Sequence, residues 1–125
     1  MGGSTARFDQ PEETKRFPNG EEHIVHVHGV AVGMATFQPG WRWSNDVRPM
    51  MGTERCPLLH VGYNLSGRLH VELADGSTLD VGPGEVFEIT PDHDAWVVGD
   101  EPVVMIDWAG KAREYASQYA AEGSR

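Results

Sequence analysis

Leu59-His60-Val61-Gly62-Tyr63-Asn64-Leu65-Ser66-Gly67-Arg68-Leu69-His70-Val71-Glu72-Leu73-Ala74-Asp75-Gly76-Ser77-Thr78-Leu79-Asp80-Val81-Gly82-Pro83-Gly84-Glu85-Val86-Phe87-Glu88-Ile89 is the stretch that decides the fold. It breaks into four short β-like runs, Leu59 to Leu65, Arg68 to Leu73, Thr78 to Val81 and Val86 to Ile89, rich in β-branched and aromatic residues. Ser66-Gly67, Asp75-Gly76 and Gly82-Pro83-Gly84 separate them, and these are turn-forming sequences: glycine reaches positive φ freely and proline presets its own φ.

The same texture extends outward. His23 to His28 and Val30 to Phe37 precede the stretch, Ala95 to Val98 and Val103 to Trp108 follow it, and Gln38-Pro39-Gly40 and Gly99-Asp100-Glu101-Pro102 punctuate them. About eight short strands in one small domain predict an all-β fold, an antiparallel barrel or sandwich. Before it, Pro11 followed by Glu12 and Glu13 reads as the first turn of a short N-terminal helix. After it, the alanine-rich Lys111 to Ala121 reads as a C-terminal helix, with Tyr115 and Tyr119 one turn apart on its packing face. The expected organisation is an N-terminal segment over 1–22, a barrel over 23–109 and a helical tail over 110–125.

A chain of 125 residues with 39% hydrophobic content supports one core. Its net charge of −9 argues against nucleic acid and anionic membrane as partners, because both demand a basic footprint, and points to a small-molecule ligand. A single cysteine makes no intrachain disulfide, no apolar run spans a bilayer, and Met1 to Gln10 lacks a signal-peptide core, so the expected compartment is the cytoplasm.

The chemistry concentrates in Cys56, His60 and His93. A thiolate with two imidazoles leaves one tetrahedral position open on a zinc ion, the arrangement of a working site rather than a closed structural one. On one unbroken strand Cys56 and His60 would stand about 13 Å apart, too far to share an ion. Pro57 resolves this by ending a strand between them. Other readings stand beside these: Cys56 as an inert buried thiol, His93 within an exposed turn, and His23, His26 and His28 as a solvated strand face. Arg42, Arg48 and Arg55 are candidate clamps for a substrate carboxylate, with plain surface placement as the alternative.

From Gly33 to Trp108 the chain resembles the cupin superfamily. The resemblance is carried by Pro39-Gly40-Trp41, by His60 with six residues between it and Gly67, by Gly82-Pro83-Gly84-Glu85 and by Pro91-Asp92-His93. In the cupin register His60 takes the place of the first motif's glutamate, Cys56 its second histidine and Glu54 its first. In the second motif Ala95 falls at the histidine position and His93 two residues early, on the same strand face. The resemblance implies a jelly-roll barrel with a metal and a small organic ligand in its mouth. The softer donors here favour Zn, with Fe(II) as the alternative. Trp43, Tyr63 and Trp96 are expected to wall the ligand pocket, and Asp46 or Asp94 to orient a ligating imidazole. The implied function is a metal-binding small-molecule cupin; the enzymatic alternative is an Fe- or Zn-dependent thiol or small-organic-acid dioxygenase. A homodimer is expected, since the edges of such a sandwich need cover.

Overall fold

The computed structural model describes residues 2–108. Nine strands run along the chain: β1 (Glu13–Phe17), β2 (Gly20–Val27), β3 (Val30–Phe37), β4 (His60–Ser66), β5 (Arg68–Glu72), β6 (Thr78–Val81), β7 (Val86–Ile89), β8 (Asp94–Val98) and β9 (Val103–Asp107). Two single-turn helices, α1 (Trp43–Asp46) and α2 (Arg48–Met51), lie between β3 and β4. The strands form a six-stranded sheet in the order β1-β2-β3-β9-β4-β7 and a three-stranded sheet in the order β6-β5-β8, with every pairing antiparallel. Two facing antiparallel sheets with crossing connections make an all-β jelly-roll sandwich, as the punctuated strand pattern predicts.

The N-terminal helix expected over Pro11 to Arg16 is a strand instead. Glu13–Phe17 pairs with Gly20–Ile24, closing a hairpin whose two-residue loop is Pro18-Asn19. Proline presets the first loop position, and Asn19 takes φ 63° at the second, a conformation asparagine tolerates well. Pairing along five residues outweighs the weak local preference for helix. The six-stranded sheet therefore begins at Glu13 rather than at His23. The C-terminal helix expected after Lys111 lies outside the described residues.

The core fills the space between the sheets. Val71 and Val103 are wholly buried, and Leu69, Val81, Phe87, Ile89, Val97 and Met105 nearly so. Strand alternation places them: Leu69 and Val71 share one face of β5, and Val103 and Met105 one face of β9. Gly67 makes the β4–β5 turn possible. Its φ of 77° is left-handed, and a Cβ there would stand on the Pro102 backbone.

Candidate metal centre

Three separate segments supply the cluster. Cys56 lies before β4, in an isolated bridge with His93 in which its N–H donates to the His93 carbonyl at 2.8 Å. The chain then turns through Pro57 so that His60 opens β4 facing inward. His93 stands just before β8. One donor atom from each of Cys56, His60 and His93 lies within 4.8 Å of the others. Cys56 and His93 are buried and His60 half-buried.

Both imidazoles are held from behind. His60 Nδ1 bonds to Asp107 Oδ2 at 2.5 Å, and His93 Nδ1 donates to the Thr90 carbonyl at 2.7 Å. A carbonyl only accepts, so the His93 proton sits on Nδ1 and its Nε2 presents a lone pair. Asp107 imposes the same assignment on His60, whose Nε2 stands 3.5 Å from Cys56 Sγ. A tetrahedron with Zn–S of about 2.3 Å and Zn–N of about 2.0–2.1 Å has an S···N edge of about 3.5 Å. The donor set therefore fits a zinc-like ion in ligand type, and the Cys56–His60 pair fits it in spacing. The cupin register also points to Glu54, but that side chain is fully exposed and faces Arg48 at 3.9 Å.

The electrostatics of the cluster follow from these contacts. Burial raises the Cys56 thiol, but hydrogen bonding to His60 and His93 and the charge of His60 outweigh it and hold the thiol down at about 6. Burial depresses His60, while Asp107 and Cys56 act the other way and lift it to about 10. Without a metal the protein thus stabilises a thiolate beside the His60 imidazolium; the thiolate is the form in which cysteine binds metal, and His60 would give up its Nε2 proton to an ion.

The cluster opens on a cavity of about 440 Å³ with largely apolar walls. Phe17, Phe37, Trp41 and Trp43 line it, with Ala35 and Met105 between the sheets. Its rim includes the exposed Met50 of α2 and Leu58. Of the three aromatics expected in its wall, only Trp43 is there. Tyr63 is three residues beyond the inward His60 and points out of the sheet, 39% exposed. Trp96 alternates with the inward Ala95 and Val97, so it packs outside, under the Arg42 guanidinium at 4.3 Å and beside His70.

The expected partners of the imidazoles are corrected as well. Asp94 accepts from Arg42 and from the Ser44 amide, and Asp46 accepts from the Arg42 amide, all at 3.0 Å. Asp107 does the orienting for His60 and the Thr90 carbonyl for His93; Val103, Met105 and Asp107 share an inward face, and an acid in such a position is a signal, whereas a backbone carbonyl gives none. Glu22 is a further unanticipated lining residue; burial and then Asp107 push its carboxyl upward in pKa. Arg42, Arg48 and Arg55 bind Asp94, Glu54 and Glu72, and none lines the cavity. His23 contacts the Phe8 carbonyl and Glu21, and His26 contacts Glu12, away from the cluster.

The chain matches no protein-family model and no curated protein sequence. It superposes on a protein of unknown function from Rhizobium leguminosarum with a TM-score of 0.57 and 19% identity, over 86% of this chain and 98% of that one. A double-stranded β-helix protein from Klebsiella pneumoniae gives 0.55 and 14%, over 82% and 80%. Oxalate decarboxylase from Lactobacillus farciminis gives 0.55 and 18%, over 76% of this chain and 30% of that one. The fold is that of a cupin. The chain spans less than a third of the decarboxylase it resembles. Within this barrel His93 and Ala95, two residues apart, both line the cavity. Among the described residues no helix is long and apolar enough to cross a membrane.

Proposed function

We propose that this cupin-fold protein binds a zinc ion through Cys56, His60 and His93, and receives a small organic ligand in the cavity above it. The observation that carries the reading is the convergence of three donor atoms within 4.8 Å while Asp107 and Thr90 occupy the far nitrogens of both imidazoles. A thiolate donor favours zinc over manganese or magnesium. Bound there, zinc would supply Lewis acidity at an open position. The chain's own residues hold the imidazoles, shelter the thiolate and exclude water with apolar walls.

Elemental analysis of protein purified without added metal tests the reading. About one zinc per chain is expected, and Cys56→Ser should lower that content while the circular dichroism stays β-type. Absence of zinc, with oxygen uptake appearing after Fe(II) reconstitution, would replace this reading by the dioxygenase one. The homodimer is proposed alongside, and light scattering at the chromatographic peak decides between 13.8 kDa and twice that mass.

A further inference from the structure

The first hairpin sets an aromatic ring and two opposite charges side by side at the cavity mouth. Lys15 and Phe17 are two residues apart on β1 and both line the cavity, so they share a face about 6.6 Å apart along the strand. Glu22 lines it from β2, directly opposite Lys15 in the ladder. Gly20, opposite Phe17, has no side chain, and the Phe17 ring takes that space, 6.0 Å from Phe37 and 6.4 Å from Trp41.

Residues directly opposite on neighbouring strands hold their Cβ atoms about 4.5–5.5 Å apart, close enough for a lysine and a glutamate to pair. These two do not. The Glu22 carboxylate turns the other way and occupies the place a Gly33 side chain would fill. Lys15 acts on it through charge alone, and neither side chain makes a hydrogen bond or a salt bridge among the described residues. Lys15 is exposed at the mouth and Glu22 half-buried within it. The other acid and the other cation lining the cavity are placed differently: Asp107 is bonded to His60, and Arg16 alternates with Lys15 on β1, 79% exposed and 3.9 Å from Glu21. A ligand with a single charge would match one member of the Lys15–Glu22 pair and meet like charge from the other. A group that carries both charges on one carbon bridges the gap and leaves neither unmatched.

We propose, resting on the ligand-binding reading above, that the cavity takes an aromatic α-amino acid whose carboxylate meets Lys15, whose ammonium meets Glu22 and whose ring lies against Phe17 and Phe37. This recognition uses none of the three metal-binding side chains.

Calorimetric titration of the full chain, zinc-loaded and zinc-free, with L-phenylalanine, hydrocinnamate, phenethylamine and L-alanine tests it. The last three lack the ammonium, the carboxylate and the ring in turn. L-phenylalanine should bind both forms at least about tenfold more tightly than each of the others, since each missing group is worth about that much or more. Lys15→Ala should weaken L-phenylalanine to about the level of phenethylamine, and Glu22→Gln to about the level of hydrocinnamate, with zinc content unchanged. Should a variant fold poorly, the order of the four probes on the unaltered chain decides. A chain that takes up no zinc overturns the metal reading alone, because the probes are ranked in zinc-free protein as well. Hydrocinnamate, phenethylamine or L-alanine binding as tightly as L-phenylalanine, L-phenylalanine binding only when zinc is loaded, no binding of it to folded protein, or unchanged affinity in either folded variant would overturn the amino-acid assignment.

Discussion

His93 reaches the cluster two residues before Ala95, and strand phase explains why that works. Residues two apart on a strand share a face, so His93 and Ala95 look into the same cavity, and moving the imidazole two positions keeps it inside. The same rule excludes Tyr63 and Trp96, which stand in the opposite phase to His60 and Ala95. That much was legible in the sequence. Asp107 was harder, since it meets His60 only through the pairing of β4 with β9, where it lies opposite Gly62. Such a contact, forty-seven residues apart in the chain, follows from register and not from local spacing. Asp107→Ala is expected to leave the barrel folded and to weaken zinc by about 10–100-fold, the usual loss when the group orienting a ligating imidazole is removed. Competition against a chromophoric chelator measures this, and Asp107→Asn, which keeps an acceptor, should lose less. Equal affinity in all three proteins would show that His60 needs no orientation from Asp107.

Two elements depart from what local signals favour. The β1 segment carries a helix-like start at Pro11, yet it joins a hairpin because Pro18-Asn19 permits the turn and β2 offers a full ladder. The single-turn helix α1 has no capping side chain of its own, and Asp94 substitutes from across the sandwich: its carboxylate accepts from the Ser44 amide at 3.0 Å, from Arg42 at 3.0 Å and from the Ala95 amide at 2.9 Å. This anchor fixes Trp43 in the cavity wall, and no local sequence pattern could reveal it. Burial raises the Asp94 pKa, but these hydrogen bonds outweigh it and hold the carboxyl below its ordinary 3.8. A carboxyl depressed on folding contributes stability that is complete above its unfolded pKa and is lost as pH falls through its folded pKa. Asp94→Ala should therefore cost about 1–3 kcal/mol at neutral pH, the usual penalty for leaving buried hydrogen-bond donors without their acceptor. Because the Arg42 side chain is 42% exposed, most of that loss belongs to the two backbone amides. Urea midpoints at neutral pH and near pH 3 should show the gap between wild type and variant narrowing in acid. A gap that widens would refute the linkage.

At the scale of the molecule, apolar burial between the two sheets is expected to hold the sandwich without a metal. Gly-Pro punctuation and short alternating runs made its class legible, because they act through local turn chemistry and one burial period. The side chains that fill it, Val71, Val81, Val103, Leu69 and Phe87, bury apolar surface between the sheets whether or not an ion is present. An ion bound there would join three segments already fixed by other contacts: the Cys56–His93 bridge, the β4–β7 ladder and the Thr90 bond to His93. Removing zinc should consequently leave a cooperative β-type unfolding transition. Binding would add stability only by linkage, about 2.7 kcal/mol when free zinc is about 100-fold above its dissociation constant, so chelation should lower the melting midpoint by about 8–16 °C for a domain of this size. Circular dichroism of the chelated protein at 25 °C should still show the β spectrum. If chelator alone abolishes that spectrum, the ion is part of the folding nucleus, its coordination closes rather than opens the cavity, and a ligand-binding role at the metal loses its physical basis.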